Sequence, residues 1–422
     1  MTPDVGVHAL SDGTPVWVVE RHEVPLVRVE LSLRRSGDED AGALAALAAL
    51  WERDEGTDAA EALGATLSLG CGAERCWMDL DAPVEHLAEA LRVAGEALRT
   101  VETHDLAGVR RAWRAEWRTD WLAPELVPEL ALERLTWPDG HPRRSDHDAG
   151  FFRAMTPARV REAHARLLAE AAAGVVVVGD TRAAEVLPML GALGTFGGAG
   201  ARAFAGPTPD RWPRVVLVDL PGEADARIAV RVAAPGRDDP EATAFALAAR
   251  ALGGDFTGRL NLRLRERDGL AYGAYAEPED GPGWGLLTAR ATVPAARAGE
   301  AVRAMAEELD AAALGFAPEE IAVARRLLAA DAGAAADTRA SLAFSLGMEL
   351  LAGLSPGDTW RRVDTLADVS DVSVARAARF LAGPRLWVIA GDADALEPAL
   401  EAAGLPPSTI WSACVAVYGS PC

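Results

Sequence analysis

A long internal repeat constrains this chain more than any other feature. "VRVELSLRRSGDEDAGALAALAAL" from Val27 and "ARIAVRVAAPGRDDPEATAFALAARAL" from Ala226 share one design. Each is an alternating strand, a turn centred on Gly37 or Gly236, an acidic cluster and an alanine-rich helix. The halves also end alike. "GVVVVGD" closes at Asp180 and "RLWVIAGD" at Asp392, each a short apolar strand stopped by Gly-Asp and followed by an alanine/leucine helix. Between them lies "GALGTFGGAGARAFAGPTPD", a linker by its Gly, Ala and Pro content. The spacing predicts a domain at 1–195, a linker at 196–211, a second domain at 212–405 and a tail at 406–422 outside the repeat. Period-two strands beside long helical patterns predict an α+β fold of two homologous domains. Each is a mainly antiparallel sheet with helices packed on one face.

Composition narrows the function classes. Half of the 422 residues are hydrophobic, enough for large cores, and the net charge is -21. Nucleic acids and anionic membrane surfaces are polyanions, so neither is an expected partner. The 42 basic residues are all arginine. This removes a phosphate-loop lysine and a lysine Schiff base. The start, "MTPDVGVHALSDGTPVWVVE", has no basic region followed by a long apolar one, and the expectation is a cytoplasmic protein. Cys71, Cys76, Cys414 and Cys422 lack zinc-site spacing and read as buried or incidental thiols.

The seven histidines assemble no catalytic motif. His86, in "HLAEA", reads as a surface residue at a helix start. "GHPRRSDHD" gathers His141, Asp146, His147 and Asp148 in a stretch whose Pro and Gly predict a solvated turn. Trp113, Trp117 and Trp121 recur every four residues and form one helical stripe, which packs a core or walls a peptide-binding chamber.

"GGDFTGRLNLRLRERDGLAYGAY" is more informative. Phe256, Leu260 and Leu264 predict one helical face, and Gly269 a C-terminal stop. Arg265 falls in the last turn and Tyr272 near the start of the next strand, so both can point into one cavity. Arginine also suits a helix C-terminus and tyrosine a strand, so spacing alone does not choose between a site and local structure.

The segment resembles the arginine/tyrosine motif of the M16 metallopeptidases (pitrilysin, insulinase and mitochondrial processing peptidase). The pattern is met at Gly253, Gly254, Phe256, Arg259, Leu260, Leu264, Arg265, Glu266, Gly269, Leu270 and Tyr272, with Gly258 where the family has serine. "LSDGTPVWVVERHEVPLVRVELSLRRSGDEDAG" resembles the family's first strand pair, and "TWPDGHPRR" its Gly-His-Pro turn. The resemblance runs from about Leu10 to about Leu405. It implies the two-domain M16/LuxS-like metalloenzyme fold.

One departure decides what the resemblance implies. Active members carry His-x-x-Glu-His on the helix before a Gly-Thr. "AGALAALAALWERDEGT" places those positions at Ala45, Ala48 and Ala49 counting from Gly42, or at Leu47, Leu50 and Trp51 counting back from Gly56. A third ligand position falls at Glu116. One carboxylate does not hold a catalytic Zn²⁺, which needs about three protein ligands. The implied protein binds no cofactor and is inactive alone. It is the non-catalytic half of a heterodimer, its partner bearing HxxEH and Zn²⁺. It binds peptide substrate through Arg265 and Tyr272, with Gly253, Gly254 and Phe256 supporting the motif. A structural or peptide-binding scaffold is the alternative, and a self-sufficient hydrolase the third.

Overall fold

The computed structural model describes residues 2–35, 40–53, 55–119, 122–144, 149–196, 204–281 and 283–420. Gly37, Trp121, Asp146, His147, Asp148, Cys422 and residues 197–203 of the expected linker lie outside them. The chain forms two compact units. One comprises Met1–Ala115, Ala149–Phe204 and Asp331–Val363, the other Glu116–Asp148, Ala205–Ala330 and Asp364–Cys422. The halves 1–195 and 212–405 thus mark the repeat in sequence, whereas each compact unit also takes in a helical segment from the opposite half.

The first unit is built on β1 (Gly6–Ala9), β2 (Pro15–Glu20), β3 (Leu26–Arg34), β4 (Thr66–Cys71), β5 (Arg75–Pro83) and β6 (Ala172–Gly179). They lie in the order β1-β2-β6-β3-β5-β4. Only the β2–β6 pairing is parallel. Along β3, Val27, Val29, Leu31 and Leu33 are fully buried. The alternate residues Arg28, Glu30, Ser32 and Arg34 share the other face. That polar face is not left to water: the helix Arg339–Leu351, from the second half of the sequence, packs across β3 and β6.

The second unit repeats the plan with β7 (Val215–Asp219), β8 (Asp225–Ala234), β9 (Ala274–Gly281), β10 (Trp284–Pro294), β11 (Arg385–Gly391) and β12 (Thr409–Ser412). The order is β12-β7-β11-β8-β10-β9. Strands β7 to β11 take the places of β2 to β6. One face of the sheet, with Val215, Ile228 and Val230, packs the helices Ala242–Gly253 and Ala298–Ala313. The opposite face, with Val216, Ala229 and Val388, packs Val127–Thr136, a helix from the first half of the sequence. So the α+β class and the mainly antiparallel sheets stand, and each sheet also carries a helix on its second face.

The tail is part of this unit. Strand β12 pairs in parallel with β7, and Ala416, Val417 and Tyr418 are buried. Arg134, on the Val127–Thr136 helix, donates to the carbonyls of Ala416 (3.1 Å) and Val417 (2.9 Å). A guanidinium there answers the negative end of the helix Ala413–Tyr418. Gly419, at φ +71°, closes that helix in the left-handed conformation. A Cβ at Gly419 would lie 2.3 Å from Arg134 Nη1.

Two readings of the sequence need correction. Cys71 and Cys76 are a disulfide, not free thiols, and are cross-strand partners at the end of the β4–β5 hairpin. His141 is buried rather than solvated, because its ring stacks on Trp137 at 4.2 Å. Burial, with Arg143 beside it, lowers the His141 pKa to about 4. His86 is half-exposed at a helix start, as expected. Among the described residues no helix is long and apolar enough to cross a membrane.

Candidate functional site

The helix Ala242–Gly253 ends in the Gly253-Gly254 pair. A Cβ at Gly253 would approach the Ala276 backbone nitrogen to 2.7 Å, so glycine lets the helix end sit directly on β9. Phe256 follows on a turn. It is not on the helical stripe predicted for it, because the next helix begins at Arg259. Leu260 and Leu264 fill the core while Phe256 is 56 % exposed. A Cβ at Gly258 would meet the Gly253 Cα at 2.7 Å, which explains the missing side chain there.

From Leu262 to Arg267 the helix is π-wound. The Asp268 amide donates to the Arg263 carbonyl at 3.0 Å, a five-residue step, and the Leu270 and Ala271 amides both reach the Leu264 carbonyl. Such wide turns are rare and recur at functional sites. Gly269, at φ +57°, releases the chain, and Leu270 anchors it in the core. Tyr272 sits on a bend before β9 rather than within the strand.

This geometry brings Arg265 and Tyr272 together. The Arg265 guanidinium lies 5.3 Å from the Tyr272 ring centre and 5.1 Å from that of Phe256. Its Nε is 3.3 Å from Glu266 Oε1. Tyr275 meets Phe256 edge-on at 5.8 Å. The four side chains form one cluster, with Tyr272 86 % exposed. Cation–π contacts at such exposure stabilise by roughly 0.5–1 kcal/mol each. That holds the cluster together but gives no packing reason to leave a tyrosine in water.

Tyr272 and Tyr275 also wall a cleft of about 340 Å³ within the second unit, with Pro128, Glu129, Ile228 and Arg290. The sequence reading missed the charged side of this cleft. Glu125, Glu129 and Glu133 are spaced i, i+4, i+8 and meet Arg227, Arg290 and Arg231 on the sheet. Glu125 bonds Arg227 at 2.7 Å, Glu129 takes Arg290 through two bonds of 2.5 and 2.8 Å, and Glu133 accepts from Arg231 at 2.9 Å. Arg231 is fully buried and also donates to Thr136 and Thr288. The acidic four-residue period was the available signal. Its meaning depended on which sheet the helix covers.

The zinc-motif positions lie on the helix Ala41–Trp51. Ala45, Ala48 and Ala49 share its half-buried face, while Leu47, Leu50 and Trp51 are buried. Methyl groups on the open face offer a metal no donor, so these residues do not fit Zn²⁺. Among the described residues no group of three or more His, Cys, Asp or Glu could hold a metal ion. Glu116 and Trp117 lie on the helix Leu106–Thr119, with side chains outside the described set. Trp113 of that helix is half-buried, its ring 5.6 Å from Phe151.

Residues 154–328, which include the whole Gly253–Tyr275 segment, match the family model of the peptidase M16 inactive domain. The match covers less than half of the chain and marks a likeness to that domain. The chain's fold extends the likeness beyond the matched residues. The peptidase M16 inactive domain from Pseudomonas fluorescens is 20 % identical, with a TM-score of 0.83 over 92 % of this chain and 98 % of that one. A protease from Helicobacter pylori gives 15 % identity and a TM-score of 0.77 over 93 % and 100 %. The periplasmic protease PqqL from Escherichia coli gives 14 % and 0.74 over 93 % of this chain but 46 % of its own. No curated protein matches in sequence.

Proposed function

We propose that this chain is the non-catalytic, substrate-binding subunit of a heteromeric M16-type zinc peptidase. Its partner carries HxxEH and the Zn²⁺, and the two chains form a heterodimer that acts on peptides. Arg265 would donate to the substrate backbone. The Tyr272 hydroxyl would steady the scissile carbonyl as negative charge develops on it, a role worth roughly 3 kcal/mol in a water-excluded site. The observation that carries this reading is the pairing of opposites in one chain. The zinc-motif face offers only methyl groups, while the Arg265–Tyr272 pair is intact and Tyr272 is held outward. A scaffold without proteolysis is the second reading, favoured by the stacking of Arg265 on Phe256 and Tyr272.

The disulfide bears on location. Cytosolic thiol buffers keep most such pairs reduced. The Cys71–Cys76 bond therefore supports an oxidising compartment over the cytoplasm, in line with the periplasmic location of the structurally similar PqqL. Alkylation of native protein before and after reduction, read by mass, tests this. Free Cys71 and Cys76 in freshly isolated protein would return the chain to the cytoplasm.

The experiment for the main proposal is a tagged pull-down from native extract, with co-purifying chains identified by mass spectrometry. A near-stoichiometric HxxEH-bearing chain of similar size is the expected result. A chain recovered alone, or only with itself, refutes the heterodimer.

A further inference from the structure

The polar face of β3 and β5 holds a buried charge cluster that the proposed function does not use. Glu30 is 1 % exposed. Its Oε1 accepts from Arg75 Nη1 at 3.0 Å and Ser32 Oγ at 3.2 Å. Asp79, its direct cross-strand partner, takes Arg28 Nη2 on Oδ2 at 2.9 Å. Arg28 also bonds Asp81, the partner opposite it in register. Each carboxyl is left with one buried oxygen that has no partner, Oε2 of Glu30 and Oδ1 of Asp79. Directly opposed residues on one face of an antiparallel pair have Cβ atoms about 5 Å apart. Two orphaned acceptors thus belong to facing side chains.

The surroundings supply no other charge to settle them. Strand β6 places Val176 beside Glu30, and β4 places Ser68 beside Asp79. The helix Arg339–Leu351 covers the cluster with Gly347, where a Cβ would lie 2.4 Å from Glu30 Oε1, and with Phe344, stacked on Arg75. The charged residues of that helix are engaged elsewhere or distant. Glu349 accepts from the Gly357 and Thr359 amides, and Arg339 is two turns away from Gly347. Arg34 is turned to the Leu351 carbonyl. Two guanidiniums, Arg28 and Arg75, therefore face three carboxyls, Glu30, Asp79 and Asp81. One proton makes the cluster neutral, and a shared hydrogen would satisfy both orphaned oxygens.

We infer that Glu30 and Asp79 share one proton, and that this proton permits the helix Arg339–Leu351 to dock on the sheet as a pH-sensitive latch. The titration behaviour agrees. Burial pushes both carboxyls above their ordinary range, and for Glu30 the Asp79 charge pushes the same way. A carboxyl protonated when folded and ionised when unfolded makes folding take up a proton. Stability then falls as pH rises from the ordinary carboxylate range to the pair's own pKa, and is flat above it.

The test uses the full chain and two variants. Asp79→Asn keeps a hydrogen facing Glu30 through its amide, and Glu30→Gln removes the other acid. Infrared difference spectra recorded across the pair's titration should show a protonated-carboxyl band in the wild type that both variants lose. Urea unfolding across pH should give a wild-type unfolding constant that rises up to about tenfold per pH unit in the pair's window. Asp79→Asn should flatten this dependence while keeping the fold. Absence of the band, or equal pH slopes in wild type and Asp79→Asn, overturns the inference. Stabilisation by added Na⁺ or Ca²⁺ at constant ionic strength, lost in the variants, also overturns it, since a cation would then fill the place given to the proton.

Discussion

Tyr272→Phe separates a catalytic role from a structural one more cleanly than any other change in the site. It removes one oxygen and keeps the ring. The ring is what lies 5.3 Å from the Arg265 guanidinium, so the cation–π contact survives. The side chain is 86 % exposed, and among the described residues no hydrogen bond to its hydroxyl is formed. Nothing is desolvated or orphaned by the loss. Stability should therefore stay within about 0.5 kcal/mol of the wild type, as for surface changes without a special partner. Peptide cleavage by the reconstituted heteromer should fall on the order of a hundredfold, the cost of losing one donor to a developing oxyanion. The fall should appear in kcat, because the contact forms only in the transition state. The assay is steady-state hydrolysis of a quenched fluorescent peptide by the two-chain complex, with the melting temperature of this chain as control. Full activity refutes the assigned role of the hydroxyl. A lowered melting temperature with proportionate loss of activity refutes the claim that the residue is structurally idle. Arg265→Ala is less clean, since it also removes contacts to two rings worth about 1–2 kcal/mol together.

Three further outcomes follow from the fold. Arg231→Met should destabilise the second unit by about 3 kcal/mol or more, since it strips Glu133, Thr136 and Thr288 of a buried partner; chemical unfolding measures it. His141, buried neutral with a pKa of about 4, must take up a proton when the chain unfolds in mild acid. Its contribution is present above the unfolded histidine value near 6.5 and is lost as pH falls towards 4, so His141→Gln should flatten the stability profile in that window. Truncation after Pro407 removes β12 and the helix Ala413–Tyr418, bares the edge of β7 and takes away the two carbonyls that Arg134 meets; the shortened chain should aggregate or lose its second-unit melting transition.

The spacing of Arg265 and Tyr272 allowed them to meet beside the helix end, and the structure does bring the two side chains together. The details that were not legible concern backbone winding. Phe256 sits at helical spacing from Leu260 and Leu264, yet a turn at Asp255–Gly258 takes it off the helix. The π-wound stretch after Asn261 left no mark in the pattern of apolar residues. Periodicity reports which side chains the core wants, not how many residues each turn contains. The Cys71–Cys76 bond was hidden for a related reason, since a spacing of five means a cross-strand pair only when the hairpin register is known.

The sequence by itself determined the repeat, the strands and which face of each strand is apolar, because alternation in Val27–Leu33 and Ala226–Val232 follows the two-residue period of extended backbone. It also determined that Ala45, Ala48 and Ala49 offer no metal ligand, since no fold makes a donor of a methyl group. Only the tertiary structure decided the fate of the polar faces. A period-two pattern says that Arg28 and Glu30, or Arg227 and Arg231, point away from the main core. It cannot say whether water or a helix meets them. Here each sheet is covered by a helix from the other half of the sequence, and residues patterned like a surface, Glu30 and Arg231 among them, became buried in ion pairs. That choice rests on contacts between segments more than 90 residues apart, which no local pattern encodes.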